Sequence, residues 1–240
     1  MDFWHNLFCM ASHQFRKLTA ALPQQWLWLF GFIFCSCIFA LAQNTAVVTF
    51  NFDFPGSEPE HYFISVSSNG KASYDSNGKL APDSEPSDPF RLDFIISDAT
   101  RTRIFDLAKR ARYFEGEIDS KKKGIASTGT KTLTYKDAHK NTQAVYNYSP
   151  VSAVEELTSL FQSVSTTLEF GRRLQYFHHY QKLALDEELK RMEEMSKENS
   201  LQEISAIAPI LQQIETDQSV INVVRARAQR LLERAGTANK

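Results

Sequence analysis

Residues 61–76, HYFISVSSNGKASYDS, decide the fold class. Tyr62, Ile64 and Val66 alternate with Phe63, Ser65 and Ser67, the period of two expected of a strand with one buried face. Asn69-Gly70 supplies the positive φ angles of a tight turn, and Lys71–Asp75 returns as the second arm, so a β-hairpin is predicted. The same alternation precedes it: Val48, Phe50, Phe52 and Phe54 are interleaved with Thr49, Asn51 and Asp53, and Pro55-Gly56 ends that strand. Residues 76–89, SNGKLAPDSEPSDP, carry three prolines and almost no apolar group, which predicts an exposed loop.

Farther out, Phe90–Ile96 reads as another strand. Ser97 or Asp98 is placed to cap a helix whose Ile104, Leu107, Ala108 and Ala111 share one face and should lie on the sheet. Glu117–Gly124, with three consecutive lysines, reads as a solvated loop. Ile125–Tyr135 and Gln143–Tyr148 read as a second hairpin joined by the polar turn KDAHKN. Strands grouped around a single helix imply α+β rather than the strict alternation of a doubly wound parallel sheet. From Pro150 the period changes to three and four, through Val151, Val154, Leu157, Leu160, Phe161 and Val164. Phe170, Leu174, Phe177, Leu185, Leu189, Met192 and Met195 continue one stripe. After the polar break KENS, Leu201, Ile204, Ile207, Leu211 and Ile214 form another, with Pro209 expected to kink or interrupt it. Asp217 is placed to start a last helix bearing Ile221, Val224, Ala228 and Leu231. The reading is a mainly antiparallel sheet of five or six strands with one packed helix over 43–149, and a C-terminal helical hairpin over 150–240, packed on the sheet or projecting from it.

At the other end, Trp26–Ala42 (WLWLFGFIFCSCIFALA) is uncharged and follows Arg16-Lys17, and Ala40-Leu41-Ala42 is a small-x-small site. Residues 1–42 therefore read as a signal peptide cleaved before Gln43, with Met10 as an alternative start. Uncleaved, residues 26–42 would instead anchor the chain in the inner membrane, and the Arg16-Lys17 bias would still place the C-terminal part outside the cytoplasm. A lipoprotein signal at Cys37 is disfavoured by the apolar Ile38–Leu41 after it. Either way the expectation is export, to the periplasm or the extracellular space.

All three cysteines, Cys9, Cys35 and Cys37, fall in that leader, so the exported part has no thiol for disulfides, thiolate metal sites or nucleophilic catalysis. It is long enough to bury roughly 70% of its unfolded surface without a staple. A net charge of −1 with interspersed signs gives no nucleic-acid footprint.

Gly124–Thr132, GIASTGTKT, departs from a phosphate loop because Thr130 separates Gly129 from Lys131 and a strand follows; a turn at Gly124 and a bulge at Gly129 are expected instead. His178 and His179 are adjacent on a helix, about 100° apart, and lack an HExxH spacing, so a shared metal is disfavoured; His61 and His139 would have to join them. Neither GxSxG nor SxxK occurs. Glu155, Glu156, Asp93 and Asp119 read as solvated carboxylates. No catalytic, cofactor-binding or metal-ligating residue is assigned. Tyr113, Phe114, Tyr146, Tyr148, Tyr176, Phe177 and Tyr180 are candidates to line an aromatic groove between sheet and helices.

The order of segments — a strand pair with an NGK turn, ISDATRTRIFDLAKRARYFEGE, TGTKTLTYKD with YNYSP, and FGRRLQYFHHYQKLALDEELKRM — resembles exported bacterial proteins that carry domains of unknown function. The resemblance spans roughly residues 46–235. It implies export and brings no activity or ligand. The expectation is a non-enzymatic binding or structural module of the cell envelope. The alternatives are a membrane-anchored scaffold using the helical hairpin, or a hydrolase or metal-dependent enzyme with His178 and His179 at its site. Self-association through the C-terminal helices is expected if the stripes Leu201–Ile214 and Ile221–Leu231 are not both covered by the sheet.

Overall fold

The structure, a computed structural model, describes residues 45–80 and 89–238. The leader, cleavage site and anchor expected within 1–42 lie outside the described residues, as does most of the loop expected at 76–89. Among the described residues, no helix is long and apolar enough to cross a membrane.

The fold is α+β. Strands β1 (Val47–Asp53), β2 (His61–Ser67), β3 (Lys71–Ser76), β4 (Phe90–Ile95), β5 (Thr130–Lys136) and β6 (Asn141–Tyr146) form one sheet in the order β4-β3-β2-β1-β5-β6. Every neighbouring pair is antiparallel. Helices α1 (Asp98–Arg110), α2 (Ser152–Tyr180), α3 (Leu185–Lys197), α4 (Ala208–Thr216) and α5 (Asn222–Ala238) complete it.

Strand alternation sorts the two faces. Val48, Phe50, Phe52, Tyr62, Ile64, Val66, Tyr74 and Leu133 are buried, while Thr49, Asn51, Ser65, Thr132 and Thr134 occupy the other, polar face. The β2–β3 turn differs from the expected two-residue type. Only Gly70 has positive φ, at 89°, and its N–H donates to the Ser67 carbonyl at 2.9 Å, so the loop has three residues. Asn69 contributes through its side chain, whose oxygen accepts from Lys71 N at 3.0 Å. β5 begins at Thr130 rather than Ile125, after two left-handed glycines, Gly124 and Gly129.

Ser97 caps α1, its hydroxyl accepting from Thr100 N at 3.3 Å, and Ile104, Leu107 and Ala108 are buried as their spacing predicts. Two helices cover the sheet: α1, and α2 from the region expected either to pack on the sheet or to project from it. α2 crosses it: Tyr146 of β6 bonds Thr158 at 2.5 Å, Phe161 stacks on Phe50 of β1 at 5.2 Å, and Tyr74 of β3 bonds Ser165 at 2.9 Å. One continuous apolar core therefore runs from Val48 on the sheet to Leu231 on α5.

The C-terminal region is four helices, not two arms. The stripe from Phe170 to Met195 is broken at Gln181 (φ −144°, ψ 61°), with a short 3₁₀ turn over Lys182–Ala184 before α3. Pro209 lies in the first turn of α4, where its missing N–H costs nothing, and does not kink a longer helix. Asp217 ends α4, and α5 starts at Asn222. α3 and α5 are joined by charge: Arg227 donates to Asp186 at 3.0 Å and to Glu193 at 2.5 Å, and Arg230 donates to Glu193 at 2.7 Å. Of the stripes 201–214 and 221–231, Leu211, Ile214, Val224 and Leu231 are buried, while Ile221 is exposed.

Candidate site: a cavity beside a buried carboxylate

Where α2 leaves the sheet, β1 ends at Asp53 and β2 starts at His61, joined by a compact loop. In it Phe54 N–H donates to Glu60 O at 2.8 Å, and the Ser57 hydroxyl donates to Phe54 O. The segment after β3 lies alongside: Asn77 and His61 exchange hydrogen bonds at 2.9 and 3.2 Å, and Lys79 N–H donates to Glu58 Oε1. Between these segments, α2 and α3 is a cavity of about 780 Å³. Phe52, Pro59, Tyr62, Leu80, Phe177 and Met195 form its apolar walls. A polar stripe of α2 (Gln162, Ser165, Thr166, Glu169, Arg173) forms another side, and Glu188 and Arg191 of α3 face it. Its lining mixes aromatic and aliphatic walls with charged and hydroxyl groups, in a volume within the range of small-ligand sites.

The deepest polar group is Glu169, 2% exposed. Its Oε1 accepts from the Tyr74 hydroxyl at 2.7 Å and the Ser76 hydroxyl at 2.5 Å. Oε2 has no hydrogen-bond partner among the described residues; the Arg172 guanidinium stands 4.0 Å away. Leaving a buried carboxylate oxygen unmatched costs on the order of 1–3 kcal/mol. Gly78 is set against this group. A Cβ on Gly78 would meet Glu169 Oε2 at 2.6 Å and Glu58 Oε1 at 3.0 Å, so two carboxylate oxygens flank the bare Cα of one glycine. Burial, and then the neighbouring Glu169 charge, hold the Tyr74 phenol well above its ordinary range. It therefore stays a donor to Glu169 at any physiological pH. Opposite, Arg173 Nε donates to Glu188 Oε1 at 2.5 Å, and Arg173 and Arg191 both lie over the Phe170 ring.

The histidines weighed from sequence are dispersed. His61 pairs with Asp53 at 2.6 Å, at the end of the sheet where β1 finishes. His139 lies in the β5–β6 turn, after Lys136, which pairs with Val47 at the start of β1. A seven-residue strand separates those ends by about 20 Å. His178 bonds Asp217 at 2.9 Å, and His179 is exposed, edge-on to Tyr180. Among the described residues, no three His, Cys, Asp or Glu side chains are grouped to hold a metal ion.

Asp217 also accepts from Lys182 Nζ at 2.6 Å and from the Ser219 hydroxyl, and Lys182 donates to Ser219 Oγ. Lys182 first, then Ser219 and His178, hold the Asp217 carboxyl below the usual carboxylate range. The Ser219–Lys182 contact has the residue types of a serine–lysine dyad. An ammonium held by a carboxylate is not free to take a serine proton, and the cluster acts instead as a clasp between the α2–α3 and α4–α5 corners.

Lys131 of the GIASTGTKT stretch points into the core side of the sheet, where its Nζ donates to Thr128 O, Thr128 Oγ1, Gly129 O and Asn147 O at 2.9–3.2 Å. Its ammonium is consumed by the chain itself. Of the seven aromatics proposed for a groove, only Phe177 lines the cavity; Phe52 and Tyr62 come from strands read as core. Phe114 and Tyr146 are buried elsewhere, and Tyr180 is exposed. Glu169, Tyr74, Ser76 and Arg173 were not singled out from sequence. The signal is a weak one: Gln162, Thr166, Glu169 and Arg173 recur at helical spacing among other polar residues of α2. Only the sheet's position shows which way that stripe faces.

No family model matches this chain, and no curated protein matches it.

Proposed function

We propose that this chain is an exported, non-enzymatic binding module of the cell envelope that holds a small amphipathic ligand in the cavity between the β1–β2 loop, α2 and α3. The observation that carries the reading is the composition of that cavity. Rings from two strands and one helix face a polar stripe anchored by a buried carboxylate, in a volume suited to a compact organic molecule. Export is inferred from the Trp26–Ala42 stretch and its small-x-small end.

The test is titration of the purified protein with the solvatochromic dye Nile red. One saturable site is expected, and Thr166→Trp, which fills the cavity from its α2 side, should abolish it with the melting temperature retained. Dye uptake that ignores this substitution would sink the reading.

A second reading, the scaffold that uses the C-terminal helices, is favoured by one feature. Tyr180, Leu183, Ile221 and Val223 are exposed, Leu183 at 91%, on the two corners joined by Lys182, Asp217 and Ser219. Crosslinking from a photoreactive residue at 183 in the intact cell envelope distinguishes it: a discrete protein adduct supports the scaffold, and its absence with dye binding intact leaves the ligand module.

A further inference from the structure

We infer that the cavity selects ligands whose head carries one negative charge, a carboxylate on an apolar body, and that Arg191 of α3 receives it; this rests on the cavity being a binding site. Most of the lining charges are already answered. Glu169 is held by the Tyr74 and Ser76 hydroxyls, with the Arg172 guanidinium 4.0 Å away. Arg173 and Glu188 pair at 2.5 Å, both side chains largely buried. Glu58 accepts from Lys79 N–H, so these two residues bring opposite charges to one end of the cavity. Arg191 is left. It lines the cavity, is exposed and so open to a ligand, and has no carboxylate within ion-pairing distance among the described residues. Glu187 and Glu194 stand at i−4 and i+3 on the same helix, a spacing at which such pairs form. The guanidinium lies instead over the Phe170 ring, 5.7 Å from its centre.

That position holds the guanidinium without using its donors. A cation over a ring face is attracted by the ring's quadrupole, while its N–H groups stay in the guanidinium plane, where a carboxylate can take two of them. Arg173 stands over the same ring at 4.9 Å, so two guanidinium groups share Phe170 with one carboxylate, Glu188, to balance them. Among the residues lining this side of the cavity, the surplus is therefore one positive charge. A head with a single negative charge balances it; a second would face Glu188 unopposed. The body of such a ligand is provided for alongside. Met195, one turn along α3 from Arg191, lines the same cavity, as do Phe177 and the rings of Phe52 and Tyr62, in contact at 5.0 Å. The class is a small organic carboxylate on an aromatic or short alkyl body, its charge on the α3 side and its apolar part against those rings.

The experiment compares four probes with one body and different heads: 4-phenylbutanoate, 4-phenylbutan-1-ol, 4-phenylbutylamine and 4-phenylbutyl phosphate, titrated calorimetrically against the purified protein at pH 8. The carboxylate is expected to bind about ten-fold more tightly than the alcohol or the amine. The phosphate, doubly charged at this pH, should gain nothing over the carboxylate. Arg191→Met keeps an apolar stem at an exposed position and loses the charge; it should bring the carboxylate down to the alcohol's affinity and leave the alcohol unchanged. Equal binding of the probes, preference for the amine or the phosphate, a carboxylate preference that survives Arg191→Met, or uptake of Nile red without binding of the carboxylate overturns this inference and leaves the binding site standing. If none of the four binds, and Nile red does not either, the binding reading itself falls and this inference with it.

Discussion

Single residues carry a pH dependence that follows from where their polar atoms sit. Burial raises the phenol of Tyr62, with a smaller push from Tyr146; it raises those of Tyr74 and Tyr146 too, and moves Tyr135 up to about 12. In the unfolded chain these phenols ionise near pH 10. Above that pH the unfolded state releases protons that the folded state keeps, so stability falls as pH rises, by about 1.4 kcal/mol per pH unit for each tyrosine involved. Lys131 works the other way. Desolvation lowers its folded pKa, so just below the unfolded lysine value the unfolded state holds the extra proton and stability rises with pH. One group of that sign opposes four. Urea midpoints are therefore expected to fall steeply between pH 10 and 11.5, and Tyr62→Phe should flatten the fall by one tyrosine's share. A Tyr62→Phe variant with an unchanged slope would show that this phenol is not shielded in the folded state.

Elements meet at places where a single atom decides the spacing. Gly171, in the middle of α2, faces the 3₁₀ turn at Ile204–Ile207, and a Cβ there would run into Ile207 Cγ2 and lie 3.0 Å from Ile207 Cβ. Alanine gains about 1 kcal/mol in helix propensity, but Ile207 Cβ stays at 3.0 Å whatever its side-chain rotamer, and overpacking costs about 1–3 kcal/mol. Gly171→Ala is thus expected to destabilise by about 1–2 kcal/mol, read from a denaturation midpoint; a rise in stability would mean the turn moves freely from α2. The same segment is tied to α1: Glu203, with a left-handed backbone (φ 60°), accepts from Ser97 N at 3.0 Å and from the Ser97 hydroxyl at 2.6 Å. Glu203→Ala, which leaves the α1 cap without that partner, should cost about 1–3 kcal/mol by the same measurement. Such ties also explain what the sequence concealed. Strands announced themselves because Val48, Phe50, Phe52, Tyr62, Ile64 and Val66 alternate without a break, and α1 did so through Ser97 and its apolar face. The end of α2 did not, since Gln181-Lys182-Leu183-Ala184 contains neither glycine nor proline and continues the helical period; its break is imposed by packing. Nor did the cavity, because Glu58, Tyr74, Glu169 and Glu188 are scattered along the chain and converge only when α2 is laid across β3.

For the whole molecule, the consequential fact is that α2 belongs to the sheet's core. Val154, Leu157, Phe161, Val164 and Leu168 are fully buried, and Phe161 lies against Phe50 with their rings within 4° of parallel. Without α2 the sheet would offer water a face of Phe50, Ile64, Tyr74 and Leu133, each otherwise unexposed, and each buried side chain of that size contributes about 1.5–3 kcal/mol. Four such losses, about 6–12 kcal/mol together, are as large as the 5–15 kcal/mol by which such domains are stable. Residues 45–149 are therefore expected not to fold alone, and the sheet and helices should unfold in one transition. Phe161→Ala, which removes a ring shared by both layers at a cost of about 3–5 kcal/mol, tests this most sharply. Far-UV circular dichroism, which follows the helices, and amide exchange in β1 and β2, which follows the sheet, should shift to lower denaturant together. If β1 and β2 stay protected after helical signal is lost, the sheet has a stability of its own, and the cavity beside Glu169 is then a junction between independently folding parts, free to open as α2 and α3 move.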